Sequence, residues 1–208
     1  TIYANDVLKV YRNGTQYYAL FVDSEGNPLA TDYCGNTAVE NYGDLVITNS
    51  TINSNASVRY GLTTHSGNVT VDNVIFEVGR RGAMGITGGN VTVSNSTVNS
   101  YWYAFYVTNQ TDNTNVTINS GTYTASSYSV IYNGNAVKTN KGLVTINGGS
   151  FWTKGNRNLL TLDGTPAEGQ EFGIAIKGGT WKANKKNNAA NFVADGYEYN
   201  AGTVIPKA

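Results

Sequence analysis

The sequence predicts an all-β protein, a right-handed parallel β-helix in which a single chain forms three short strands per coil over about six to seven coils. Two observations predict this fold. One eight-residue pattern recurs six times within 208 residues, and its aliphatic positions alternate with polar ones, as in a strand with one buried face. Gly (24 residues) and Tyr (15 residues) are also abundant beside many Asn, Thr and Ser, which suits short strands separated by tight turns.

The repeated unit lengthens along the chain. Its first and third positions are aliphatic and the position between them is mostly Thr, while the fifth is Asn, Ser or Gly, which tolerate a left-handed backbone and predict a bend. The eighth position is a second inward position whose side chains become larger towards the C-terminus. The six copies begin at Leu45, Val69, Val91, Val116, Val144 and Ile174, and their eighth positions are Ile52, Phe76, Val98, Tyr123, Phe151 and Trp181.

A further short apolar stretch follows in most units, as in residues 59–62, 83–86 and 104–107, and supplies the third strand. Such a unit cannot bury its inward face alone, whereas units stacked in register can. A β-sandwich is the alternative fold. It is disfavoured because strands linked by hairpins would not keep one pattern through six successive units.

Each end of the stack needs a cap, because an open stack exposes unpaired strand edges. Residues 1–30 are predicted to form an N-terminal hairpin cap, since two strand-like runs surround Asn13-Gly14. Residues 31–183 would form the β-helix. Residues 184–208 would form C-terminal cap strands after a charged turn that contains Lys185 and Lys186.

Charge and cysteine content exclude several classes of partner. Only 13% of residues are charged, and 14 Lys and Arg balance 14 Asp and Glu, so nothing predicts binding to nucleic acid. No apolar run reaches the roughly 20 residues of a membrane span, and no membrane insertion is expected. The single cysteine, Cys34, is expected to be buried, and alone it provides neither an intrachain disulfide nor a cysteine-rich zinc site.

The unit Val-Thr-Ile-x-Gly-Gly-x-aromatic, together with residues 38–43, resembles the right-handed parallel β-helix repeats of microbial surface proteins from about Ala38 to Trp181. Separately, residues 6–29 resemble the opening strands of Ig-like repeats in adhesin-like surface proteins of methanogenic archaea, although no complete Ig-like domain follows. These resemblances imply an extracellular wall or fibre protein. They imply no reaction.

Acidic and basic residues offer one local candidate for catalysis. Asp72 and Glu77 lie near Arg80-Arg81, and they are interpreted as solvated turn charges. His65 lies in a turn without an evident partner. No catalytic, cofactor-binding or metal-binding residue is therefore assigned, and no cofactor is expected.

The alternation of inward and outward positions also predicts which aromatic side chains are exposed. Trp152 should face outwards. Within residues 101–107, Tyr103 is expected inwards with Phe105 and Val107, whereas Trp102 and Tyr106 are expected outwards. Eight Asn-x-Ser/Thr sequons occur, at Asn13, Asn49, Asn55, Asn68, Asn90, Asn95, Asn109 and Asn115.

The expected function is that of a non-catalytic extracellular module with a structural or adhesive role, such as a cell-surface stalk or adhesin. One alternative is a self-assembling subunit of a filament, viral fibre or capsid decoration, which would place the chain on a virion surface. A second alternative is an enzyme resembling polysaccharide lyases or hydrolases. The expected partners are copies of the same chain, associated end to end or as an oligomer, and a glycan or another host-surface ligand.

Overall fold

The computed structural model describes residues 2–4, 8–13, 16–21, 37–54, 59–108, 114–137 and 141–208. The strands of the first half are β1 (Ile2–Ala4), β2 (Leu8–Asn13), β3 (Gln16–Phe21), β4 (Thr37–Asn41), β5 (Leu45–Ser54), β6 (Tyr60–Thr64), β7 (Asn68–Val78), β8 (Gly82–Ile86), β9 (Asn90–Ser94) and β10 (Ser96–Ser100). Those of the second half are β11 (Tyr103–Val107), β12 (Thr114–Ile118), β13 (Gly121–Ala125), β14 (Ile131–Asn133), β15 (Lys141–Ile146), β16 (Ser150–Thr153), β17 (Leu160–Leu162), β18 (Ile174–Ile176), β19 (Gly179–Ala183), β20 (Tyr197–Asn200) and β21 (Thr203–Pro206). A short 3-10 helix spans Ala189–Phe192.

Parallel stacking of equivalent strands confirms the predicted all-β parallel β-helix. The first and second strands of each coil belong to one large sheet, and the third strands form a six-stranded sheet in the order β17-β14-β11-β8-β6-β4. In the large sheet Val69 pairs with Val91, Val91 with Val116 and Val116 with Val144. Equivalent side chains therefore lie above one another along the axis.

The core is continuous along this stack. The six side chains that open the repeats are at most 2% exposed, and the eighth-position side chains form a second buried column. The rings of Tyr123 and Phe151 are 5.0 Å apart, and those of Phe151 and Trp181 are stacked at 4.1 Å. The side chains of this column become larger towards the C-terminus, as the sequence predicts, and there they form a stack of aromatic rings.

The predicted left-handed bend is present, but its position changes along the chain. Asn49, Asn73 and Asn95 have positive φ angles of 49°, 52° and 51°, as the fifth position of the repeat predicts. In later units the positive φ falls one residue further on, for example at Gly121 and Gly149. Gly121 adopts that backbone more easily than Ser120 before it, whereas Gly148 and Gly149 both tolerate it.

Three coils, 90–107, 114–133 and 141–162, carry three separate strands, whereas in the two coils before them the first and second strands run together as β5 and β7. The stack thus has slightly fewer coils than the six to seven expected. The sixth unit lacks the third strand because the chain after β19 continues into the 3-10 helix. It then forms the antiparallel pair β20–β21, and β21 also pairs with β19.

The C-terminal segment also pairs with the last coil. The backbone amide of Leu160 donates to Asn188 Oδ1, and Asn188 Nδ2 donates to the Leu160 carbonyl, so one side chain replaces a strand at this edge. A parallel bridge joins Ile176 to Val193. The C-terminal segment thus covers β19 and Leu160, and β20 becomes the edge strand of the large sheet.

At the N-terminal side, β2 and β3 form the antiparallel hairpin expected around Asn13, and β1 pairs antiparallel with β5. Gly14, in the expected hairpin turn, and Cys34, expected to be buried, lie outside the described residues.

Candidate functional site

The chain passes from the large sheet to the six-stranded sheet through one corner in every coil, and these corners stack on one another. The amide of Tyr101 donates to the Val78 carbonyl, and the amide of Ser127 donates to the Tyr101 carbonyl. One coil earlier, the amide of Arg81 donates to the Arg59 carbonyl. Backbone hydrogen bonds thus fix the side chains of successive corners at the spacing of neighbouring strands, about 4.8 Å.

A groove of about 470 Å³ lies on these corners, and we call it the corner groove. Tyr101, with 49% of its surface exposed, is its most open aromatic side chain. The residues that line the groove are Arg59, Gly79, Arg80, Arg81, Tyr101 and Trp102. The groove therefore combines guanidinium groups with aromatic rings.

Arg81 is held between two rings of this region. Its guanidinium carbon is 5.3 Å from the centroid of Trp102 and 5.5 Å from that of Tyr106, at cation–π distance. Its buried Nε has no hydrogen-bond partner. Arg157, further along the same corner, lies 5.0 Å from the Tyr128 ring. Aromatic rings therefore hold a guanidinium group in place at each of these two corners.

Next to the groove lies a layer of contacting tyrosine rings, which we call the tyrosine layer. Its members are Tyr60, Tyr103, Tyr106 and Tyr132 of the six-stranded sheet and Tyr128 of the corner before β14. The rings of Tyr106 and Tyr132 stack at 4.8 Å, and those of Tyr60 and Tyr106 are 5.9 Å apart. Gly82 and Gly85 make room for Tyr60, because a Cβ at either position would come within 3.2 Å of its ring. The layer supports Trp102, which contacts both Tyr103 and Tyr128.

Three hydroxyls of the tyrosine layer have a raised pKa. Burial raises the pKa of Tyr60 to about 12, although Arg81 opposes the shift. Burial also raises the pKa of Tyr103 to about 12, and Tyr128 and Tyr106 act in the same direction. The pKa of Tyr132 is raised by burial and by the nearby carboxylate of Asp163. Tyr60, Tyr103 and Tyr132 therefore stay neutral near neutral pH and can hydrogen-bond and stack.

Strict alternation places Tyr103 wrongly. Its side chain is 7% exposed, but its ring packs in the tyrosine layer and not in the central core. The cause is a change of phase at the corner, because the adjacent residues Ala104 and Phe105 are both fully buried in the core. Trp102 and Tyr106 are partly exposed, as expected.

The suspected acid–base cluster is not brought together as a catalytic pair. Asp72 and Glu77 both lie within β7, so their interpretation as turn charges is wrong. Asn95 donates to Asp72 Oδ1 at 2.8 Å, and Asn99 donates to Glu77 Oε1 at 2.7 Å. Each carboxylate thus accepts an amide hydrogen bond from the next coil, whereas Arg80 and Arg81 belong to the corner groove.

His65 has partners that its isolated position in the sequence did not indicate. Its Nε2 lies 3.0 Å from Glu40 Oε1, and its Nδ1 lies 2.8 Å from Thr87 Oγ1. Its ring stacks on Tyr42 with centroids 4.4 Å apart. Tyr42, His65 and Thr87 directly follow β4, β6 and β8, so the contacts tie together the ends of three neighbouring strands of the six-stranded sheet.

Trp152 faces outwards as expected, between two cations. Lys154 Nζ lies 4.6 Å and Lys182 Nζ 4.5 Å from its ring centroid. The indole also approaches Asn184 Oδ1 at 3.4 Å. The Trp152 ring is thus partly covered by contacts within the chain, whereas Tyr101 is more exposed.

Several sequon asparagines form a polar ladder between coils. Asn68 Nδ2 donates to Asp44, Asn90 Nδ2 donates to Asn68, and Asn115 Nδ2 donates to Asn90. This nitrogen is the one to which a glycan would be attached. Glycosylation at these three asparagines would therefore leave each Nδ2 a single N–H for the ladder and place a glycan beside it.

Searches for known relatives give no further assignment. No family model, curated protein or solved structure matches the chain. Within the described ranges, no group of three or more His, Cys, Asp or Glu residues is arranged to hold a metal ion. The same part of the chain contains no helix with the length and apolar character needed to cross a membrane.

Proposed function

We propose that the chain is a non-catalytic extracellular module, a stiff stalk or adhesin displayed on a cell surface. The observation that carries this proposal is the uninterrupted column of buried aliphatic side chains from Leu45 to Ile174. Every coil packs on the next through this column and through parallel backbone hydrogen bonds. A stack of this kind keeps a surface at a fixed distance from its attachment point and leaves little loose backbone for proteases.

The positions of the candidate acids support a non-catalytic role. Glycoside hydrolysis uses two carboxylates that face each other across a bound sugar. Asp72 and Glu77 instead lie on one strand and accept hydrogen bonds from Asn95 and Asn99 of the next coil. Removing these carboxylates should therefore weaken the contacts between coils, and it should abolish no enzymatic activity.

The alternative of an end-to-end filament is less well supported, because the segment after the last coil already covers β19 and Leu160 and leaves β20 as the edge strand. Asn188 satisfies both backbone groups of Leu160, and β21 pairs with β19. Backbone groups that are already bonded cannot template the pairing of another copy. We therefore favour a module that works as a single stack.

Immunogold labelling of the organism or particle that produces the protein tests its location, and negative-stain images of the purified chain test its form. The expected result is surface label and single short rods at all protein concentrations. Label confined to the cell interior would refute the extracellular role. Concentration-dependent elongation would favour the filament, and release of reducing ends or unsaturated sugars from a polysaccharide, lost in Asp72→Asn or Glu77→Gln, would favour the enzyme.

A further inference from the structure

The corner groove carries an inference about the ligand of this module, which rests on the adhesive role proposed above. We propose that the groove binds an acidic polysaccharide of the uronate class, with sugar rings against Tyr101 and Trp102 and carboxylates on the arginines.

The charge of the groove favours a carboxylate ligand. Arg59, Arg80 and Arg81 all line it. Among the described residues, no carboxylate oxygen lies within 4.0 Å of the side-chain nitrogens of Arg59 or Arg81. Guanidinium groups pair with planar carboxylates through two parallel hydrogen bonds. A uronate would therefore supply negative charge that the described residues do not place within 4.0 Å of Arg59 and Arg81.

The aromatic side chains favour a sugar as the carrier of that charge. A flat ring offers a large contact area at a small entropic cost. The Tyr101 ring is half exposed. Trp102 is already positioned by Arg81, Tyr103 and Tyr128, so little ordering is needed when a ligand binds.

The arrangement along the axis favours a polymer over a single sugar. The corners that carry Arg59, Arg81, Trp102, Tyr128 and Arg157 belong to five successive coils. Four strand spacings of about 4.8 Å separate the first corner from the last, a span of about 19 Å. A linear chain lying parallel to the axis would meet cations at both ends and aromatic rings between them.

Single-stranded nucleic acid is the main competing ligand, because its bases also stack on aromatic rings beside arginines. Binding of nucleic acid depends strongly on many phosphate contacts, and the chain has no net charge. A few arginines in one groove suit spaced carboxylates better than a continuous phosphate backbone. The polysaccharide is therefore the occupant that we propose.

The test is isothermal titration calorimetry of the full chain with polygalacturonate, which measures the binding affinity. Methyl-esterified polygalacturonate is the matched neutral probe, and single-stranded poly(dT) is the nucleic-acid probe. Binding to polygalacturonate is expected to weaken with added salt. The Tyr101→Ala and Arg59→Gln variants should each lose about tenfold in affinity, as residues that contact the ligand directly can. Both residues are exposed, so the variants should fold.

Tyr42→Ala and Lys154→Gln are the matched controls, because Tyr42 is 60% exposed at another corner and Lys154 lies beside Trp152 on the large sheet. Both controls should bind polygalacturonate as the wild type does. The proposal is overturned by absent binding, by equal binding of the methyl-esterified polymer, by tighter binding of poly(dT), or by unchanged affinity in both groove variants. None of these results would alter the images of single rods, so the groove and the stalk can fail separately.

Discussion

The aromatic column of the core allows one prediction to be worked out from the structure. Phe151 is 1% exposed, and its ring lies between Tyr123 at 5.0 Å and Trp181 at 4.1 Å. Replacing a buried Phe with Ala typically costs about 3–5 kcal/mol through lost burial and the cavity that remains. Because Phe151 also loses two stacked partners, each worth about 0.5–1.5 kcal/mol in favourable cases, we expect Phe151→Ala to cost about 4 kcal/mol or more.

Guanidinium denaturation measures this loss, with far-UV circular dichroism for the strands and indole fluorescence for Trp181, which stacks directly on Phe151. Ile75→Ala is the matched control, because Ile75 lies on β7 of the same sheet with 42% of its surface exposed. Surface substitutions of this kind usually stay within about 0.5 kcal/mol of the wild type. A loss below about 1 kcal/mol for Phe151→Ala would refute the stacked column, since a ring in such a core cannot be removed at so small a cost.

Three further predictions concern the cap, the bends and the tyrosine layer. Asn188→Ala removes two hydrogen bonds to Leu160, so it should lower the free energy of unfolding by about 1–3 kcal/mol and expose the edge of β17. Light scattering should then show new oligomers. A variant that stays monomeric and stable would contradict the capping role of Asn188. Asn73→Gly and Asn73→Ala both remove the side-chain amide, but only Ala is strained at the φ of 52° that Asn73 adopts. In denaturation experiments the Ala variant should therefore be about 1 kcal/mol less stable than the Gly variant. Equal stability of the two variants would exclude a left-handed bend at this position. The unfolded chain loses tyrosine protons near pH 10 while Tyr60 and Tyr103 keep theirs to about pH 12, so stability should fall as the pH rises between these values. The Tyr60→Phe and Tyr103→Phe variants should reduce this fall, and an unchanged slope in both would argue against a buried layer.

The strands could be predicted from the sequence because their signal is repeated. Val69, Val91 and Val116 recur at the same place in an eight-residue pattern, and a stack buries them together, so pattern and burial agree. The bends followed from the same column, since Asn49 and Asn73 do adopt positive φ. The shift of the later bends to Gly121 and Gly149 was not predicted, because two adjacent residues of those units both tolerate a bend and the sequence does not choose between them.

The contacts between coils were harder to predict, because they depend on which side chains meet across a gap of more than 20 residues. Nothing near His65 in the sequence indicates Glu40 or Thr87, yet register places both beside it. Asn133 illustrates the same difficulty in the core. This polar residue is fully buried, and its amide donates to the carbonyls of Gly142 and Gly173. Only the stacked structure supplies those acceptors.

The candidate site was missed for a reason that applies to repeat proteins in general. A search for repeats finds positions that resemble one another, and these are the positions that build the core. A binding surface arises where equivalent positions differ, as the corners occupied by Arg81, Trp102 and Tyr128 do. The strands fix the spacing of these corners through their pairing, so a series of unlike residues becomes an ordered track along the axis. Arg80-Arg81 and Tyr101-Trp102 occupy equivalent corners of adjacent coils, and comparing the corners across repeats, once the strands are aligned, would have placed them together.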